Sequence, residues 1–144
     1  MRLGVVVVTH GQLAAELLNS AEMIVGDLPQ FAAVSIGWHE DVEQARDAIA
    51  RAIERVGNVA AGSRGEPVGV LVLTDMFGGT PANLAVTFLE TGKVEVITGV
   101  NLAMLMKLAR PPKEPDLLAV AREMREQGRN AIWVASDLIR GEKS

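Results

Sequence analysis

Leu3, Val5, Val6, Val7 and Val8 form an apolar run interrupted only by Gly4, and it ends in Thr9, His10 and Gly11. A valine-rich run of this length, too short to cross a bilayer, predicts a strand covered by helices on both faces. The same pattern returns at Val68–Thr74, which ends at Asp75, and shorter runs at Phe31–Ile36 and Val94–Thr98 predict two more strands. Residues 131–135 are expected to add a fifth.

Helical spacing fills the intervals. Leu13, Leu17, Leu18 and Ile24 make one stripe that Gly26 can end. Asp41 with Gln44 resembles a capping box, after which Val42, Ala45, Ile49, Ile53 and Val56 share a face and Asp47 and Arg51 form a charge pair. Residues 57–67, glycine-rich and polar, read as a loop. A helix is expected over 81–89, with Thr80 as N-cap, Pro81 in the first position and Gly92 closing it. Two more are expected over 102–109, stopped by Pro111 and Pro112, and over 117–127, ended by Gly128. Alternating strands and helices predict an α/β fold: a three-layer open sheet, mainly parallel, in one domain spanning residues 1–144.

The carboxyl ends of such strands are where an open α/β sheet places its chemistry. His10 stands at one of them. It either fills the strand-to-helix turn or acts as a nucleophile, since imidazole, with an unperturbed pKa of about 6.5, is partly neutral near neutral pH. The segment from Thr74 to Asn83 holds a carboxylate, Asp75, two glycines, Gly78 and Gly79, and the hydroxyl of Thr80 before a helix start. Glycines let a backbone approach a ligand closely, and free amides at a helix start favour an anion such as phosphate. The bland alternative is a tight turn with a threonine cap. No lysine follows the glycines as in a P-loop, and their spacing is not that of a dinucleotide fold. In a parallel sheet both strand ends share one edge, so His10 and Asp75 can converge. A carboxylate accepting from one ring nitrogen would fix the tautomer and leave the other lone pair exposed. Alternatively, Asp75 caps the next turn.

Composition narrows the partners. At 144 residues the chain can bury roughly two thirds of its unfolded surface without staples. With no cysteine it has no disulfide or thiol nucleophile, which fits a reducing compartment, and two histidines are too few for a dedicated zinc site. The amino terminus lacks a signal-peptide pattern and no stretch has the length of a membrane span, so a soluble cytoplasmic protein is expected. A net charge of −4, two tryptophans, three phenylalanines and no tyrosine disfavour nucleic-acid binding. His39 reads as an exposed loop residue. Trp38 and Phe77 either flank the site as a docking rim or are buried, Met104 and Met106 read as packing, and Asn101 suits either the site or a turn.

Thr9-His10-Gly11, the segment Thr74 to Asn83, and the block Gly99-Val100-Asn101-Leu102-Ala103-Met104-Leu105 together resemble the enzyme IIA component of the mannose family of the bacterial sugar phosphotransferase system. The resemblance runs in order over almost the whole chain. It implies that His10 accepts a phosphoryl group from the phosphocarrier HPr and passes it to a histidine of a IIB component. It also implies that Asp75 is the histidine's partner, that Thr80 with Gly78 and Gly79 holds the phosphoryl group, and that no cofactor or metal takes part. The family fold carries a final antiparallel strand exchanged in a homodimer, and association with the membrane is indirect, through the permease components.

Ala103 departs from the proline frequent in the third block but removes no chemical group. The chain ends after the IIA-like unit, so a separate IIB protein is expected. Two other readings share the histidine: a regulatory phospho-acceptor module without sugar transport, and the phosphotransferase subunit of dihydroxyacetone kinase, against which the Gly-Gly-Thr-Pro block argues. The sugar is not specified by these residues.

Overall fold

A computed structural model describes residues 1–63, 67–111 and 113–141. The valine run becomes β1 (Arg2–His10), an inner strand of a four-stranded sheet. Val5 and Val7 face a layer containing α1 (Leu13–Val25), α4 (Leu102–Leu108) and α5 (Leu117–Asn130). Val6 and Val8 face α2 (Val42–Ala61) and α3 (Gly79–Ala85) on the other side. All four valines are fully buried, each worth about 1.5–3 kcal/mol over exposure. That burial on both faces is why the run carries no polar alternation.

The other strands are β2 (Phe31–Ile36), β3 (Val68–Thr74) and β4 (Val94–Thr98), all parallel in the order β2-β1-β3-β4. In this register Val8 lies opposite Thr74 and His10 opposite Ile36. The three-layer α/β architecture expected from the alternation is therefore present. Gly4 marks where α2 crosses β1: a Cβ there would come within 2.9 Å of the Val56 backbone. Glycine is what lets that helix lie so close.

Several local expectations give way to packing. Residues 131–135 form no strand; Ile132 is 74% exposed and the chain instead turns into α6 (Ala135–Ile139). Apolar content makes a strand only where a sheet edge accepts it, and no edge of this sheet pairs with the segment. The expected 57–67 loop begins later, because burial of Val56 and Ala60 carries α2 on to Ala61; residues 64–66, like Pro112, lie outside the described residues. Asp41 caps α2 by accepting from Glu43 N at 3.3 Å, a single cap rather than a reciprocal box with Gln44, and the ion pair in that helix joins Arg46 to Glu43, not Asp47 to Arg51.

The helix expected over 81–89 starts two residues earlier and is shorter. Gly78 occupies the N-cap position of α3 with φ +82, Thr80 lies inside the first turn, and a 3₁₀ turn at Val86–Phe88 finishes the segment. Gly92 sits in the turn leading into β4, not at a helix end. Likewise Gly128 lies within α5, which runs on to Asn130. A Cβ at Gly128 would meet Met104 Sδ at 2.7 Å, so the glycine sits where α5 packs closely on α4 rather than at a helix end.

Candidate functional site

The first connection runs from β1 to β2 on one side, and the next crosses from β2 over β1 to β3 on the other, so the carboxyl ends of β1 and β3 define the topological switch point of the sheet. Open parallel sheets bind ligands at that position. His10 is the last residue of β1 and Asp75 the first after β3.

The structure brings these two together. Asp75 Oδ2 lies 2.8 Å from His10 Nδ1 and 3.0 Å from the His10 amide, which donates to it. Asp75 Oδ1 accepts from the Met76 amide at 3.1 Å. The carboxylate is thus engaged on both oxygens, with its side chain 14% exposed beside a His10 ring that is 52% exposed. Partial burial pushes the Asp75 carboxyl upward, but hydrogen bonds from the His10 side chain and amide, with attraction to the imidazole, outweigh it and hold the carboxyl below its usual value. An ionised carboxylate only accepts hydrogen bonds, so Nδ1 carries the proton. In the neutral ring the lone pair is then on Nε2.

Nε2 faces the glycine turn. A Cβ at Gly79 would fall 3.2 Å from Nε2 and 3.1 Å from Cε1 of His10, and Gly79 itself has φ +84. Gly78 and Gly79 both adopt the left-handed backbone that side chains rarely tolerate. Thr80 follows with an exposed side chain and, among the described residues, forms no hydrogen bond with His10 or Asp75. Of the residues expected at the site, His10 and Asp75 are in contact and Gly79 packs on the ring, while Gly78 and Thr80 are placed beside it by the chain.

Two threonines, missed on the sequence, support the pair. Thr9 and Thr74 are the buried polar residues among those described. Thr9 Oγ1 accepts from Ala14 N at 2.7 Å, tying the start of α1 to the strand. Thr74 Oγ1 donates to Met76 O at 3.4 Å. Their sequence signal is a hydroxyl near the end of each apolar run, just before His10 and Asp75.

Trp38 and Phe77 are 93% and 86% exposed, which decides between rim and core in favour of the surface. Trp38 follows β2 at the same end of the sheet and stacks edge-on with His39, ring centres 6.2 Å apart. Met104 is core, and Asn101 is the N-cap of α4. Among the described residues no group of three histidine, cysteine or acidic side chains is placed to hold a metal ion, and no helix is long and apolar enough to cross a membrane.

Residues 4–124 match the family model EIIA-man, described as PTS system fructose IIA component. The mannose-specific EIIAB component of the phosphotransferase system in Escherichia coli K12 is 33% identical over 92% of this chain, which spans 40% of that protein's length. The sorbose-specific EIIA component of Lacticaseibacillus casei is 29% identical over 73% of this chain and 70% of its own. Among solved structures, a mannose/sorbose-specific IIA subunit from Enterococcus faecalis superposes with a TM-score of 0.72 at 28% identity, covering 93% of this chain and 95% of that one. An EIIA component from Streptococcus agalactiae shares the fold, with a TM-score of 0.77 at 22% identity over 93% of this chain and 98% of the other. The parallel sheet, the switch-point histidine and these matches agree: the chain belongs to the EIIA-man family of phosphotransferase-system IIA components.

Proposed function

We propose that the chain is a phosphocarrier in which His10 Nε2 takes a phosphoryl group from phospho-HPr and passes it to a histidine of a IIB component for sugar uptake. In the first step the P–N bond of the donor histidine breaks as the Nε2–P bond forms; the second step reverses these roles at His10. The observation that carries this reading is the hydrogen bond of His10 Nδ1 to Asp75, which directs the remaining ring nitrogen to the glycine turn. Asp75 holds the tautomer and stabilises the positive charge that grows on the ring as Nε2 attacks. Phosphoryl transfer asks mainly for positioning and charge stabilisation. The backbone at Gly78 and Gly79, with the Thr80 hydroxyl, supplies donors for the phosphoryl oxygens.

Trp38 and Phe77 give this end of the sheet two exposed aromatic groups suited to docking HPr and IIB in turn. The dimer belongs to the same proposal. Arg55 donates to the Phe31 carbonyl of β2, whereas a cavity of about 450 Å³ runs along the free side of β4, and Ile132 lines it. Exchange of the segment after α5 between two subunits would cover that side. Incubation with enzyme I, HPr and labelled phosphoenolpyruvate tests the relay: one phosphate per chain is expected, and none in His10→Ala. Equal labelling of His10→Ala would end this reading.

A further inference from the structure

The third sequence block, from Gly99 to Leu105, has no part in the chemistry described so far, yet it touches the backbone that carries Asp75. The amides of Gly99 and Val100 both donate to the Thr74 carbonyl, each at 2.9 Å. Thr74 therefore has its carbonyl held by two donors from the β4–α4 turn and its hydroxyl bonded to Met76 O. Asp75 is the next residue.

Asn101 anchors that turn from the other side. Its Oδ1 accepts from Met104 N at 3.1 Å, capping α4, and its Nδ2 donates to the Gly128 carbonyl of α5 at 3.0 Å. One side chain thus joins the turn, the start of α4 and the last part of α5. The glycine at 128 lies close to α4: a Cβ there would meet Met104 Sδ at 2.7 Å and Cγ at 2.9 Å. Glycine inside a helix is less favourable than alanine, and at 128 it leaves room for this approach.

We infer that Asn101 is a positioning residue for the His10–Asp75 pair: by fixing the Gly99–Val100 amides on the Thr74 carbonyl, it sets where the Asp75 carboxylate meets the imidazole. The chain of contacts is continuous, from Gly128 O through Asn101 and the turn to Thr74, and from Asp75 Oδ2 to His10 Nδ1. Loss of the Asn101 donor lets the turn drift, and the carboxylate moves with it. This inference deepens the phosphoryl-acceptor reading and rests on it for its functional meaning, but its geometric content is measurable with no phosphate donor present.

Asn101→Ser is the informative variant. Serine is as good an N-cap as asparagine, so α4 keeps its cap, while its short side chain cannot span to Gly128 O. Nitrogen-15 NMR of the imidazole rings reads the outcome. In the unaltered chain His10 is expected as the Nδ1–H tautomer; in Asn101→Ser its nitrogen shifts move towards the tautomer mixture of a free imidazole. His39, exposed and stacked on Trp38, serves as the internal control and keeps its shifts. The phosphorylation rate falls roughly two- to thirtyfold, the range expected for a coupling carried through a contact network. Unchanged His10 shifts in a folded Asn101→Ser, or equal movement of His10 and His39, overturn the inference. Should the variant not fold, amide exchange in the unaltered chain decides. Gly99 and Val100 amides as protected as those of β3 support the clamp, and exchange as fast as the exposed 37–40 turn refutes it. Altered tautomers without phosphorylation in any variant would retain the clamp and reject the relay.

Discussion

The two strand-to-helix turns that form the site are built in opposite ways. After β1 only Gly11 and Gln12 separate His10 from α1, and the turn is pinned from within, by Thr9 Oγ1 on Ala14 N. After β3 four residues, Asp75 to Gly78, precede α3, and the turn is pinned from outside, by the Gly99 and Val100 amides on Thr74 O. The first turn also contains a left-handed glycine, Gly11 at φ +56, but open space surrounds its Cβ position; at Gly79, where the second turn enters α3, a Cβ would lie 3.1 Å from the histidine ring. His10 is thus placed by strand geometry, whereas the backbone beside its ring, at Gly78 and Gly79, takes a positive φ that favours glycine. Substitutions in the first turn, His10 apart, should alter stability; those in the second should alter chemistry.

The largest contrast is expected at Asp75. Asp75→Asn keeps the shape but lets the imidazole adopt the other tautomer, a change worth about 10⁴ in rate where a carboxylate orients a catalytic histidine. Stopped-flow transfer from phospho-HPr checks it, and a rate within threefold of the unaltered chain would remove Asp75 from its role. Next come the paired glycine variants. Gly79→Ala is expected to slow phosphorylation on the order of 10²-fold, as misplacement by about 1 Å can do. Gly11→Ala should cost about 1–2 kcal/mol of stability through left-handed strain and leave the rate unchanged. Equal rate losses in both would erase the distinction between the turns. Thr9→Val leaves the Ala14 amide without its buried acceptor and is expected to destabilise by about 1–3 kcal/mol in urea unfolding, with Thr9→Ser recovering most of it.

The smallest effect is in acid. Because the folded-state pKa of Asp75 lies below its ordinary value of 3.8, the unfolded chain binds the proton more readily as pH falls. The stabilisation is complete above that value and is lost as pH drops through the folded-state pKa. The difference in unfolding free energy between the unaltered chain and Asp75→Asn should therefore shrink between pH 5 and pH 2. A constant difference would mean that the carboxylate charge adds nothing to the pairing.

Much of this contrast was legible in the residues. The runs ending at His10 and Asp75 carry no polar alternation because both faces are covered, which implies a parallel sheet and hence a common edge for the two side chains. What remained hidden depends on contacts between distant segments. Apolar content at 131–135 said nothing about whether an edge would accept a strand. Thr80 has the chemistry of a cap, but the positive φ of Gly78 starts α3 before it. Gly128 looked like a helix stop because its neighbour Met104 lies 24 residues away in the chain. Asn101 suits a turn equally well by residue type, and its bond to the Gly128 carbonyl joins segments 27 residues apart.

The central claim is that Asp75 holds Nδ1 so that Nε2 receives the phosphoryl group. Nitrogen-15 and phosphorus-31 NMR of the chain phosphorylated by enzyme I, HPr and phosphoenolpyruvate reads the attachment atom directly. A single phosphate on His10 with phosphorus–nitrogen coupling to Nε2 is the expected result. Phosphate on Nδ1, or on any residue other than His10, would contradict it.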